Sequence, residues 1–170
     1  MNYGNIKFVD TADGDGVRVS LFVSGCRNHC KGCFSEVTWN FDYGKPFTEI
    51  EENEIIEACK KSYISGLTIL GGDPFEQENQ LTVYKLIKKF KQECPDKTLW
   101  IYTGYVFERD LQAGQRKHIQ NITDKILTNV DMLVDGPFIE SQKNVMLKFR
   151  GSSNQRLLTR QDRIDILNKK

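Results

Sequence analysis

Apolar strands and amphipathic helices take turns along this chain, and that alternation limits what it can fold into. Val17 to Val23 alternates with period two and is rich in β-branched residues, which reads as a strand. Thr48 followed by Glu51 forms a capping box that opens a helix to about Tyr63, with Ile56, Cys59 and Tyr63 on one face. Leu67 to Leu70 is a short apolar strand with a glycine on either side. Leu81, Tyr84, Ile87, Phe90 and Cys94 follow helical spacing, Lys85, Lys88, Lys89 and Lys91 turn to solvent, and Pro95 ends that helix. Leu99 to Tyr102 is a third strand. A helical stretch from Phe107 to Leu127, broken near Gly114, precedes a fourth strand at Met132 to Val134. The tail is loop-rich, with a short strand at Leu157 and Leu158. Strands joined through helices imply right-handed crossovers and a mainly parallel sheet. Four to six strands are too few for a closed eight-stranded barrel. The expected fold is therefore α/β, either an open partial (β/α) barrel or a doubly wound sheet. No repeat or linker divides the chain, so residues 1–170 are expected to form one domain.

Each expected strand ends in a glycine-containing polar segment: Ser24-Gly25-Cys26, Gly71-Gly72-Asp73-Pro74, Thr103-Gly104-Tyr105 and Asp135-Gly136-Pro137-Phe138. In parallel α/β folds ligands bind at the carboxyl edge. Any one such segment does no more than turn the chain. Four of them on one rim predict a cleft.

Beside the first segment lie Cys26, Cys30 and Cys33, spaced C-x3-C-x2-C. Three thiolates on one short loop make a soft, anionic pocket suited to iron–sulfur or zinc. Structural zinc and electron-transfer clusters recruit four ligands and close the site. A zinc site completed by His29 would require adjacent His29 and Cys30 to share one ion, and no second C-x2-C is present. Three ligands leave one iron of a four-iron cluster open. The five cysteines are odd in number, which fits metal ligation in a reducing compartment better than a disulfide framework. Cys59 and Cys94 read as buried thiols. Two histidines leave little material for a hydrolase. A net charge of +1 gives no sign of nucleic-acid binding, no apolar run reaches the length of a membrane span, and the start of the chain lacks a signal-peptide layout. A cytoplasmic protein is expected.

The cysteine triplet resembles the signature of the radical S-adenosylmethionine superfamily, and Gly71-Gly72-Asp73-Pro74 resembles that superfamily's methionine-binding element. The ordered set is similar to the activating proteins of anaerobic (class III) ribonucleoside-triphosphate reductases. It comprises Asp13 to Arg18, Leu21 to Cys26, Gly71 to Pro74, Tyr102 to Tyr105, Val134 to Phe138 and Phe149 to Arg156. The resemblance implies an open partial (β/α) barrel of radical S-adenosylmethionine type. It implies one 4Fe–4S cluster on Cys26, Cys30 and Cys33, with S-adenosyl-L-methionine chelating the open iron. Gly71, Gly72 and Asp73 would orient its methionine end. Many superfamily members carry an aromatic residue where this chain has Gly32, so the adenine contact is assigned to the backbone of Gly32, Cys33 and Phe34. Thr103 and Asp135 are further candidate cofactor contacts. Asp15 replaces the proline that many relatives have in their Gly-x-Gly turn. The implied reaction is reductive cleavage of S-adenosylmethionine, followed by hydrogen abstraction from a glycine of the reductase large subunit, with a flavodoxin-like electron donor. Alternatives are an activase of another glycyl-radical enzyme such as pyruvate formate-lyase, a small-molecule radical enzyme, or a non-catalytic zinc or iron–sulfur module. Arg150 and Arg156 flank a Gly-Ser-Ser-Asn loop; they could bind a carboxylate or a partner surface, with solvated side chains the commoner case.

Overall fold

A computed structural model describes residues 1–169. Its strands are β1 (Asn2–Asp10), β2 (Arg18–Val23), β3 (Lys45–Pro46), β4 (Gly66–Gly71), β5 (Thr98–Tyr102), β6 (Met132–Asp135) and β7 (Arg156–Thr159). Its helices are α1 (Glu49–Cys59), α2 (Gln77–Glu93), α3 (Phe107–Asp110), α4 (Thr123–Asn129) and α5 (Arg160–Asn168). The strands form one open sheet in the order β3-β1-β2-β4-β5-β6-β7. The four central strands run parallel, as expected from the helices that join them. β1 pairs antiparallel with β2 and β3, and β7 pairs antiparallel with β6. The expectation of a mainly parallel sheet thus holds for the centre only. The flanking strands are joined to it by loops, and such connections permit antiparallel pairing.

Alternation along the central strands separates two faces. Val19, Leu21, Val23, Leu67, Ile69, Leu99, Ile101 and Leu133 point into an apolar core beneath the helices. α1 starts at the expected capping box, with Thr48 and Glu51 bonded reciprocally, but it ends at Cys59, and Tyr63 lies outside it, exposed. α2 buries Val83, Leu86, Ile87 and Phe90, whereas Leu81 faces outward. The expected stripe holds at Ile87, Phe90 and Cys94, with Tyr84 half-buried against the core, and fails at Leu81. The buried polar pair Asn79 and Gln80 extends the packed face towards the sheet edge and disguises the true apolar period. The stretch from Phe107 to Leu127 holds only the short α3 and the start of α4, separated by turns through Gly114.

The opposite face carries Arg18, Phe22, Thr68, Leu70, Trp100 and Tyr102. At its amino end Arg18 is buried without a carboxylate. Its guanidinium donates to Thr68 Oγ1 (2.7 Å), Thr98 Oγ1 (3.0 Å) and the carbonyls of Asp15, Leu67 and Thr98, and it packs on Trp100. These bonds satisfy the donor fork and tie β2, β4 and β5 together below the open end. No described helix is long and apolar enough to cross a membrane.

Candidate metal centre

The carboxyl ends of β2, β4, β5 and β6 surround a cavity of about 690 Å³, within the range of small-molecule sites. Cys26, Cys30, Cys33, Asn28, Gly71, Gly72, Asp73, Thr103, Gly104 and Gly136 line it, with Phe22, Leu70 and Tyr102 as a floor. All four glycine-containing strand ends thus meet at one cleft. The tail folds over the other side with Phe138, Leu147 and Phe149, and Phe34 of the cysteine loop meets Phe138 with ring centroids 5.6 Å apart.

The cysteine loop is held from three sides. Gly25 N–H donates to Thr38 O (2.7 Å) and Cys26 N–H to Trp39 O (3.1 Å). Gly72 N–H donates to Val23 O (2.7 Å) and Asp73 N–H to Gly25 O (2.8 Å). Gly72 has to be glycine: a Cβ there would stand 2.5 Å from Gly25 O, a backbone atom that cannot yield. Gly71 and Gly72 therefore seat the β4 end directly against the start of the cysteine loop. His29 stacks on Trp39 with centroids 4.6 Å apart. Ser35 N–H points at Cys33 Sγ (3.4 Å).

Among the described residues, no three Cys, His, Asp or Glu side chains converge on a point for a single metal ion. The three thiols line one cavity, and a four-iron cluster takes its thiolates on separate irons. Burial, then the charges of Asp73 and Glu76, push the Cys26 thiol up to about 12. Burial and neighbouring Cys33 push Cys30 up as well. Thiolates here need positive charge beside them, which bound iron provides.

Asp73 is fully buried, and both its oxygens are engaged. Oδ1 accepts from Phe75 N–H (2.9 Å) and Thr103 Oγ1 (2.8 Å), and Oδ2 from Gly104 N–H (2.8 Å) and Asn28 Nδ2 (3.3 Å). Every donor is neutral. Burial pushes its carboxyl up to about 7 against those bonds, with Glu76 adding to the rise. Thr103, expected as a cofactor contact, lines the cavity while its hydroxyl serves Asp73. Gly32 lies outside the lining, next to Glu140, whereas Cys33 and an exposed Phe34 are part of it. Asp135 is buried outside the lining. It accepts from Phe107 N–H (2.8 Å) and Arg156 Nε (2.8 Å), and Arg156 also pairs with Glu108. Arg156 thus binds carboxylates of its own chain, the first of the readings its sequence position allowed. Arg150 lines the cavity and donates to Gln155 O (2.7 Å).

Sequence reasoning missed a polar cluster behind the cysteine loop. Glu76 is completely buried and accepts from Arg27, Tyr105 and Lys117, while Asn79 Nδ2 donates to Ser24 O and Asp73 O, both at 3.0 Å. Burial raises the Glu76 carboxyl, but the bonds from Lys117, Tyr105 and Arg27 outweigh it and hold it below the usual carboxylate range. The one local signal was the run of polar residues from Glu76 to Gln80 at the start of a helix that must pack on a sheet.

Comparison with known proteins agrees with this site. Residues 12–158 match the family described as a 4Fe-4S single cluster domain. A protein of Haemophilus influenzae is 40% identical over 157 residues, covering 91% of this chain and 96% of its own. One of Escherichia coli K12 is 38% identical with the same coverage of both chains. One of bacteriophage T4 is 38% identical over 164 residues, covering 95% and 96%. All three are named anaerobic ribonucleoside-triphosphate reductase-activating proteins. With 38–40% identity over nearly the whole of each chain, and a matching 4Fe-4S domain, the chain belongs to the family of anaerobic ribonucleoside-triphosphate reductase-activating proteins.

Proposed function

We propose that this chain activates an anaerobic ribonucleoside-triphosphate reductase by generating a glycyl radical on it, as a single radical S-adenosylmethionine domain with the open partial-barrel architecture. The observation that carries the reading is the meeting of three thiols and the Gly71-Gly72-Asp73 strand end in one ligand-sized cavity. Cys26, Cys30 and Cys33 hold a 4Fe–4S cluster and leave one iron for S-adenosyl-L-methionine. Once reduced by an external donor, a cluster held there would supply the one-electron chemistry that cleaves the cofactor reductively and so allows hydrogen abstraction from the partner's glycine.

The protein's own part is orientation and charge. Asp73 is held by neutral donors alone, so its negative potential remains for the cationic methionine end of the cofactor. Gly71 and Gly72 keep that strand end within reach of the cysteine loop. Thr103 fixes Asp73, and the backbone of Cys33 and Phe34, which line the cavity as Gly32 does not, borders the adenine. Phe34, Phe138 and Phe149 cover the cavity and limit water. An open sheet edge suits a macromolecular substrate, because a closed barrel would not admit another protein's loop. Free thiols suit a reducing compartment, the cytoplasm, where a flavodoxin-like protein would deliver the electron.

The test is to mix anoxically reconstituted protein, reductant, S-adenosylmethionine and the reductase large subunit, and to record the electron paramagnetic resonance spectrum. A glycyl-radical doublet on the reductase is expected. Its absence there, with a doublet on a pyruvate formate-lyase-type enzyme instead, would move the assignment to that partner.

A further inference from the structure

We propose that Glu76 is a positioning residue for the metal centre: it fastens the segment after Cys26 to the turn between β4 and α2, and so fixes where the first thiolate stands. This rests on the reading of the cysteine loop as a cluster site. The Glu76 carboxylate takes four bonds. Oε1 accepts from the Arg27 backbone N–H (2.8 Å) and the Tyr105 hydroxyl, and Oε2 from Arg27 Nη1 (2.7 Å) and Lys117 Nζ (2.6 Å). The donors come from the connections after β2 and β5 and from the segment leading into α4, so one carboxylate ties three connections together.

A carboxylate suits this place because it accepts at both oxygens and donates nowhere, and its bonds to cations are about twice as strong as neutral ones. The Arg27 amide is one residue from Cys26, so releasing it frees the chain on which that thiolate is carried. Lys117 is itself buried, above the Tyr105 ring at 4.7 Å, and balances the charge. Glu78 makes a second pair with Arg27, but at the surface, where exchange with water weakens it. Its removal is the natural control.

The experiment compares Glu76→Gln, Glu78→Gln and the double variant Glu76→Gln with Lys117→Met in the full chain. Amide hydrogen exchange is read on metal-free protein, and iron loss to a chelator on protein reconstituted with iron and sulfide. In Glu76→Gln the Arg27 amide should exchange about tenfold faster relative to β4 amides, and iron should leave about tenfold faster, equivalent to one lost charge-assisted bond. Glu78→Gln should stay within about twofold on both. The double variant removes both buried charges and so avoids the cost of an unpaired lysine; Arg27 should stay unprotected in it and iron should still leave fast. Wild-type protection and iron retention in the double variant would overturn the proposal, since Glu76 would then be only the counter-ion of Lys117. Equal acceleration at all amides would overturn it too, as would faster Arg27 exchange with unchanged iron loss. A wild-type chain that takes up no iron would instead contradict the cluster reading, while the Arg27 contrast is read without metal.

Discussion

Asp73 and Asp135 stand at matching places, each at or just past the carboxyl end of a parallel strand, and neither exposes any surface. Their surroundings differ in one respect. Asp135 is met by the Arg156 guanidinium and lies outside the cavity. Asp73 is met by two backbone N–H groups, a hydroxyl and an amide, and lines the cavity. A buried carboxylate with its own cation is electrically complete and holds loops together. One held only by dipoles has no cation to offset its burial, and burial pushes its carboxyl up to about 7 against those bonds. On the proposed function the β4–β5 side of the rim receives the cationic end of the cofactor, while the Asp135–Arg156 pair on the β6 side braces the loops.

The largest effect expected from this division concerns the thiols. Cys30→Ala should abolish stable iron uptake and lower reductase activation by more than about a hundredfold, beyond the range of changes to groups that only support ligands. Iron analysis and the glycyl-radical signal read it. Next come the two aspartates, with opposite outcomes. Asp73→Asn should weaken S-adenosylmethionine binding about tenfold while iron content stays near wild type. Asp135→Ala should cost about 1–3 kcal/mol of stability, through the unpaired Phe107 N–H and the broken ion pair, with cofactor affinity unchanged. Equal loss of cofactor affinity in both variants would erase the distinction.

The pH dependence is a smaller effect that sharpens the same contrast. The Asp73 carboxyl rises from an ordinary 3.8 to about 7 on folding, so the native state keeps this proton after the unfolded chain has released it. Stability contributed by Asp73 is present below about pH 4 and is lost as pH rises towards about 7. Asp13, also raised to about 7 by burial and by Asp10, carries the same sign. Denaturant melts of metal-free Asp73→Asn should show a shallower fall over that window than wild type, with part of the fall remaining through Asp13. The smallest effect concerns the remaining cysteines. Burial pushes Cys59 up to about 12 and raises Cys94 as well, so both should resist alkylation of the folded, metal-free chain while Cys33 is modified.

How far the sequence revealed this follows from the same physics. The four central strands were legible because β-branched apolar runs ended in glycine, and the cysteine loop because its ligand spacing is local. β1 was not, since Asn2 to Asp10 is half polar and finds its strand geometry through pairing with β2. α5 was missed although Thr159 and Asp162 form a capping box, because its surface is largely polar. Asn28 and Lys117 had no local pattern, and Glu76 only the polar run that it opens. Their burial arises from three connections closing on one another, a tertiary event. The two aspartates looked alike for the same reason: only the fold brings Arg156 to one and leaves the other without a cation.

The most direct measurement is electron paramagnetic resonance on the anoxically reconstituted, reduced chain, with and without S-adenosylmethionine. The account predicts a reduced four-iron signal whose line shape changes when the cofactor is added, with a weakened response in Asp73→Asn and a full one in Asp135→Asn. A four-iron signal indifferent to the cofactor would contradict the central claim and make this cavity the seat of an electron carrier.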